Sequence, residues 1–352
     1  MINTAFMSPK EQNYSMPAEW EKHECCWMQW PHDNQDFDGY GSVPTWSHFD
    51  IEKGRIAWAN VASKISEFEK VKMIVHPNNI VNASKLLNEK VEILNFKNDD
   101  AWARDSGAIF LLNKEKKLGG VDWEFNGWGK FSPYDSDNKI AKFMIENANA
   151  TYFKNDMILE GGSIHTDGDG TLLTTEQCLL NKNRNPEFSQ EQIEGNLKDY
   201  LGVNKIIWLK NGTDEGTDGH IDNMACFVAP GKILALSCSD KQDTFYDKIN
   251  ENLEILKTSV DNKGRVLEII ELEMSYKRLI PNEDEPSSYI NFYIANKGIV
   301  MPSFDDEKAD NNAQKIIQET FPDRKVIAIN GIDISMGGGN VHCITQQQPL
   351  SV

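Results

Sequence analysis

The sequence predicts an α/β chain built from repeated units of one helix and several short strands, and three observations predict it. Five segments carry apolar residues at the 3.6-residue spacing of a helix. Short runs rich in β-branched and aromatic residues lie between them. The later helices recur at intervals of about 50–65 residues, the scale at which repeated modules are expected. About five such units would fill the 352 residues, although no repeat of residue identity is visible. No linker-like stretch divides them, so a single domain over residues 1–352 is the expected organisation.

Taken in order, Trp58, Val61, Ala62, Ile65 and Phe68 form the first helical stripe, and Ile140, Phe143 and Met144 the second. Ile193, Leu197, Tyr200 and Leu201 form the third, opened by a capping-box pattern of Ser189 with Gln192. Ile249, Leu253 and Leu256 form the fourth, and Ala313, Ile316, Ile317 and Phe321 the fifth, which Pro322 stops. Strands are expected at 71–75, 91–96, 108–112, 171–174, 205–208, 225–228, 232–236, 266–272, 289–294, 298–301 and 326–329. Asp167-Gly168-Asp169-Gly170 and Pro230-Gly231 read as tight turns between paired strands, and Pro281–Pro286 as a surface loop.

A formal charge of −18 disfavours nucleic acid and anionic membranes as partners, since both need clustered Lys and Arg. Solubility alone accounts for such a charge, and it would also draw a cationic small molecule. The six cysteines, Cys25, Cys26, Cys178, Cys226, Cys238 and Cys343, include no Cys-x-x-Cys pair, so neither a disulfide framework nor a zinc knuckle is indicated. Residues 1–16 carry no basic stretch followed by an apolar run, and no apolar segment is long enough to cross a bilayer. A cytoplasmic protein with reduced thiols is expected.

Residues able to do chemistry fall in four short segments. Met336-Gly337-Gly338-Gly339-Asn340-Val341-His342-Cys343 delivers a thiol just after three glycines, which weaken helix and strand and suit backbone passing close to a ligand. The alternative there is a loop followed by a buried, inert cysteine. In Thr217-Asp218-Gly219-His220-Ile221-Asp222-Asn223, extended backbone continuing into 224–228 would turn His220 and Asp222 to one face, whereas a turn would satisfy each locally. Leu159-Glu160-Gly161-Gly162-Ser163-Ile164-His165 sets a carboxylate ahead of two glycines, either in a crowded site or in an ordinary solvated turn. Asp99-Asp100-Ala101-Trp102-Ala103-Arg104-Asp105-Ser106-Gly107 packs acids, an indole and a base ahead of a strand, and reads as a ligand-facing or a charged surface loop.

Together these segments offer a thiol nucleophile, an imidazole, an orienting carboxylate and two spare carboxylates. A cysteine protease needs only Cys, His and one Asp or Asn. Two more buried carboxylates would be costly unless a cation neutralised them. A guanidinium suits them, being planar, permanently charged and furnished with paired N–H donors.

The stretches 17–24, 100–107, 121–129, 160–170, 214–227, 289–302 and 337–349 resemble the agmatine deiminases, which belong with the bacterial-type peptidyl-arginine deiminases in the guanidine-modifying, or pentein, superfamily. The motifs occur in order from about residue 17 to the end. The resemblance implies a five-bladed α/β propeller of pseudo-repeated ββαβ units. It implies Cys343 as nucleophile, His220 as acid/base and Glu160 as the carboxylate that orients His220. Asp105 and Asp222 would hold the guanidinium nitrogens, Trp102 would pack on the substrate, and Asn291 and Gly339 would complete the substrate site. Ala108, Lys22 and Gly127 depart from residues common in the family, and none touches a proposed catalytic group.

The implied reaction is attack of Cys343 on the guanidinium carbon, loss of ammonia, and hydrolysis of a covalent thiouronium by water that His220 activates, with no metal or organic cofactor. Agmatine would give N-carbamoylputrescine. Asp214 and Glu215 lie near His220, and no arginine occurs between Arg104 and Arg184, which favours an amine-tailed substrate over one ending in a carboxylate. Peptidyl-arginine or another guanidine is the alternative in the same class, and a non-catalytic guanidinium-binding protein the alternative in a different one. A metal site built from His165, His220, Asp222 and His342 lacks any His-x-x-x-His or Cys-x-x-Cys spacing. A homodimer stays open as the assembly.

Overall fold

A computed structural model describes residues 7–32, 50–130, 133–279 and 286–352. Among them the strands form five separate sheets of three or four strands. His23–Gln29 leads through helix α1 (Ile51–Ile65) to the parallel strand Lys70–Val75, and its antiparallel partner, Thr345–Pro349, comes from the other end of the chain. The hairpin of Ile109–Asn113 and Leu118–Glu124 leads through α2 (Ile140–Asn147) to the parallel strand Thr151–Ile158. Ile164–Thr166 and Thr171–Thr175 lead through α3 (Gln190–Leu201) to Lys205–Leu209. Ala225–Ala229 and Lys232–Ser237 lead through α4 (Tyr246–Thr258) to Glu268–Glu273. Tyr293–Ala295 and Gly298–Ser303 lead through α5 (Glu307–Thr320) to Lys325–Asn330. The ββαβ order therefore occurs four times along the described chain, and the pairing of Thr345–Pro349 with His23–Gln29 completes a fifth such unit.

Each crossover helix is held by the features that predicted it. Ser189 and Gln192 form the capping box at the start of α3, and Gly202 ends it in the left-handed conformation at φ 68°. Along α1 the stripe Trp58, Val61, Ala62 and Ile65 is buried, while Phe68 lies beyond the last turn and packs against Gly298. Trp102 and Cys343 belong to the same apolar cluster as Trp30, Trp58 and Val75. The site described below is thus walled by core rather than by loose loop.

Two expectations are corrected. The strand expected over 289–294 begins only at Tyr293, because Asn291 is turned towards Cys343 instead of into a ladder. His220 and Asp222 do not share one extended run: residues Ile221–Asn223 form one 3-10 turn after His220, and alternation is not what brings the two side chains together. Several strands lacked a legible pattern. Thr345–Pro349 is polar yet wholly buried, its glutamines being used by Ala108 O, Trp27 Nε1 and the Cys25 thiol. In Leu118–Glu124 the paired glycines hide a strand whose flatness is required, since a β-carbon at Gly120 would lie 2.6 Å from the Ile145 side chain. The loop expected at 281–286 lies outside the described residues except for Pro286. Among the described residues, no helix is long and apolar enough to cross a membrane.

Candidate active site

Side chains from two of the four sequence segments meet around Gly162, which belongs to a third. A β-carbon at that glycine would lie 2.6 Å from His220 Nδ1, 2.7 Å from Asp105 Oδ1 and 3.1 Å from Asp222 Oδ2, so the imidazole and two carboxylates converge on a point that only glycine leaves open. The Cys343 thiol donates to Asp222 Oδ2 at 3.4 Å. Asn291 Nδ2 lies 3.1 Å from Cys343 Sγ, and Asn291 Oδ1 accepts the His342 N–H at 2.9 Å. Gly339 separates Trp102 from the thiol: a β-carbon there would lie 2.6 Å from the Trp102 ring and 3.2 Å from Cys343 Sγ. All eight residues expected in the site are thus brought together, and every one but Gly339 is buried.

Local structure explains how. The short helix Ala103–Ser106 hangs from Cys343, whose carbonyl accepts the Arg104 N–H at 3.2 Å, and it carries Asp105 inward. Gly162 N–H donates to Asp105 Oδ1 at 2.9 Å, and Trp128 Nε1–H donates to Oδ2 at 3.0 Å. His220 stands 3.6 Å from Asp105 Oδ1 and 3.8 Å from Glu160 Oε2, and neither ring nitrogen has a hydrogen-bond partner within the protein. Asp222 Oδ1 is likewise buried without a partner. Unsatisfied buried polar atoms are expensive, and finding them on His220 and Asp222 beside the thiol describes a site built for a polar guest.

The charges are arranged by burial and by neighbours. Burial pushes the Asp105 pKa up to about 6, Asp222 and Glu160 push the same way, and His220 and the Trp128 hydrogen bond oppose them. Burial also works against ionised Glu160, but Arg184, whose Nε donates to it at 2.7 Å, and His220 outweigh it and hold the pKa down to about 2. Burial disfavours the His220 cation, yet Asp105, Cys178 and Glu160 push its pKa well above the ordinary histidine value. For Cys343, burial first and then the charges of Asp222 and Asp105 push the thiol well above its usual value. Both shifts favour the protonated forms, a thiol on Cys343 and an imidazolium on His220.

Sequence reasoning missed the groups that hold this arrangement. By residue type His342 reads only as a possible metal ligand; its Nδ1 faces Asp222 Oδ2 at 2.9 Å and its Nε2 faces Glu19 Oε1 at 2.9 Å. Carboxylates only accept, so both nitrogens carry protons and His342 is a buried cation. Burial lowers the Asp222 pKa's tendency to ionise, but the His342 bond outweighs it and keeps Asp222 below the ordinary carboxylate range. Arg104 donates to Glu19 at 3.2 Å, and Arg184 to both Glu160 and Asp218. Glu19, His165 and His342 offer ligand atoms within 4.8 Å of one another. The His342 protons and the Arg104 cation already occupy that carboxylate, so the arrangement reads as a charge network rather than a metal cage. Glu160, Cys178 and His220 form a second such group. Spacing could not have found these pairs, because the partners are as far apart as Glu19 and His342, 323 residues.

A cleft beside the site is lined among others by Thr213, Asp214, Asn223, Ser288, Gly338 and Gly339. Gly339 is shared between this cleft and the thiol's surroundings.

The sequence profile of the Porphyromonas-type peptidyl-arginine deiminases matches residues 15–349. A Legionella pneumophila (strain Paris) protein provisionally named an agmatine deiminase is 45% identical over 353 residues, covering 99% of each chain. The agmatine deiminase of Pseudomonas aeruginosa (strain UCBPP-PA14) is 40% identical over 368 residues, covering 97% of each. Among solved structures, the agmatine deiminase of Enterococcus faecalis superposes with a TM-score of 0.90 at 35% identity, covering 99% of each chain.

Proposed function

Because the chain belongs to the Porphyromonas-type peptidyl-arginine deiminase family, we propose that it is an agmatine deiminase, hydrolysing agmatine to N-carbamoylputrescine and ammonia. The observation that carries this reading is the pair of buried carboxylates, Asp105 and Asp222, converging beside a thiol, with Asp222 Oδ1 left without a partner. A guanidinium answers that arrangement: its paired N–H groups satisfy carboxylate oxygens, and its charge relieves two buried anions. The family match over residues 15–349 and the closure of Thr345–Pro349 onto His23–Gln29 support one catalytic domain over residues 1–352.

In this reading Asp105 and Asp222 hold the guanidinium so that its central carbon faces Cys343 Sγ. The bound cation cancels the two carboxylate charges that, after burial, hold the thiol protonated, so substrate itself favours the thiolate, and the thiol proton passes to solvent as the substrate binds. Sulfur attacks the carbon, the C–N bond breaks, and protonated His220 gives its proton to the departing nitrogen, which leaves as ammonia. The thiouronium that remains is attacked by water whose proton His220 now accepts. Collapse returns the thiolate and releases the ureido product. Glu160 keeps the imidazole in place and charged, and Arg184 keeps Glu160 ionised. Asn291 Nδ2, at 3.1 Å from Sγ, donates to the developing thiolate. Trp102 packs on the flat cation, and Gly339 leaves the room for it.

The substrate's tail points to agmatine. Asp214 lines the cleft, while Arg104 and Arg184 are both committed to buried carboxylates and offer nothing to a carboxylate-ended tail. The test compares ammonia and ureido product from agmatine, free arginine and an arginyl peptide, with Cys343→Ser alongside. Agmatine is expected to be turned over far faster than either, and the variant not at all; strong turnover of arginine with none of agmatine overturns the assignment.

A further inference from the structure

After the strand Leu118–Glu124 the chain runs through four successive residues in the left-handed region, with φ of 62° at Gly127, 52° at Trp128, 83° at Gly129 and 71° at Lys130. Glycine adopts this region freely, but a buried tryptophan there is an outlier that its surroundings must enforce. Asn126 does much of the enforcing: its Oδ1 accepts the Gly129 N–H at 2.9 Å, its carbonyl accepts the Lys130 N–H at 2.8 Å, and its Nδ2 donates to the Asn183 carbonyl at 2.9 Å. A β-carbon at Gly129 would lie 2.5 Å from Asn183 Nδ2, and Phe125 packs edge-on against the Trp128 ring at 5.1 Å. Asn183 in turn donates to Asp218, the partner of Arg184, so the loop is fastened to the Glu160 side of the site as well.

What this strained turn delivers is a single bond, from Trp128 Nε1–H to Asp105 Oδ2. We propose that Trp128 is a positioning residue for the guanidinium clamp, its indole N–H holding the Asp105 carboxylate in the orientation that receives the cation. The inference rests on the deiminase reading above. Asp105 is faced by His220 at 3.6 Å, by the Gly162 N–H and by the charges of Asp222 and Glu160, with the Cys343 thiol beside them. Burial, the largest influence, sets its pKa at about 6, and the indole bond is one of the few groups favouring the ionised form. Indole is a donor only, so it stabilises the carboxylate and gives nothing to the protonated acid. Near neutral pH the margin for ionisation is narrow, and losing that donor removes it.

The test is the pH dependence of kcat/KM for agmatine in Trp128→Phe, which keeps an aromatic ring against Phe125 but has no donor. The acidic limb is expected to move up by about one pH unit, the scale of one hydrogen bond to a charged group, so that kcat/KM falls about twofold at pH 7 and about tenfold at a pH below both midpoints. At a pH well above the limb, kcat/KM is expected to recover to within about threefold of the parent, which a merely loosened fold would not do. Superimposable profiles overturn the inference. As a readout that needs no variant, one indole N–H resonance of the parent protein is expected to titrate with a midpoint near 6, and the absence of any such resonance overturns it too. An inactive parent protein would instead sink the deiminase reading, so the two failures are told apart.

Discussion

Replacing Asp222 with asparagine keeps the side chain's shape and removes its charge, and the structure sets the size of the effect. Oδ2 accepts from His342 Nδ1 at 2.9 Å and from the Cys343 thiol at 3.4 Å, while Oδ1 waits buried and unpartnered. Losing the charge leaves the His342 cation with only Glu19 and the incoming guanidinium with a dipole where an anion stood. Breaking a buried ion pair from one side costs about 3–5 kcal/mol. The two losses share one charge and do not add, so kcat/KM for agmatine should fall by roughly 10²–10⁴-fold, at 1.36 kcal/mol per tenfold. A second effect has the opposite sign. After burial, Asp222 is the leading influence holding the Cys343 thiol protonated. Its neutralisation should therefore speed alkylation of Cys343 by iodoacetamide at mildly alkaline pH. The assay follows initial ammonia release from agmatine and, separately, the alkylation rate read by mass spectrometry of the Cys343 peptide. A loss of turnover below tenfold, or a fall in both rates, would refute the clamp as described.

Two further outcomes can be checked. Arg184→Gln leaves Glu160 buried without its cation and should destabilise the protein by about 3–5 kcal/mol at neutral pH. The Glu160 pKa is held down to about 2 in the fold against an ordinary value of 4.5, so this contribution is present above about pH 4.5 and is lost as pH falls towards 2. The gap between variant and parent in urea unfolding should narrow in acid; equal stabilities at neutral pH contradict the account. In the parent protein, kcat/KM for agmatine should fall below a pH of about 6, because Asp105 then takes up a proton and cannot pair with a cation. A flat profile down to about one unit below that midpoint rules out Asp105 as the ionised partner.

Much of this molecule was legible in advance, and the rest was hidden for physical reasons. The five crossover helices were visible because each carries an apolar stripe, and two of them also a stop or start signal, Ser189 with Gln192 for one and Pro322 for another. Thr345–Pro349 was invisible because a buried run of Thr, Gln and Pro has no apolar period; only its distant partners, Ala108, Trp27 and Cys25, make sense of it. Cys343, His220, Glu160, Asp105 and Asp222 stood out through the family resemblance, since each motif taken alone had an ordinary explanation. The groups that set their charges did not. His342 looked like a neighbour of the nucleophile, yet it bridges Asp222 and Glu19. Arg184 entered only as the end of a span without arginines, although it is the cation that keeps Glu160 ionised. Trp128 lies within one of the resembling stretches, and its bond to Asp105 depends on left-handed backbone that its own residue type disfavours.

The central claim is that Cys343 Sγ forms a covalent bond to the carbon of a guanidinium held between Asp105 and Asp222. It is tested most directly by acid-quenching the protein within its first turnover of agmatine and weighing the peptides. The Cys343 peptide should carry a transient adduct equal in mass to agmatine less ammonia, absent from Cys343→Ser and from the protein quenched without substrate. Steady production of N-carbamoylputrescine with no adduct on Cys343 at any quench time, or with undiminished turnover by Cys343→Ser, would contradict it.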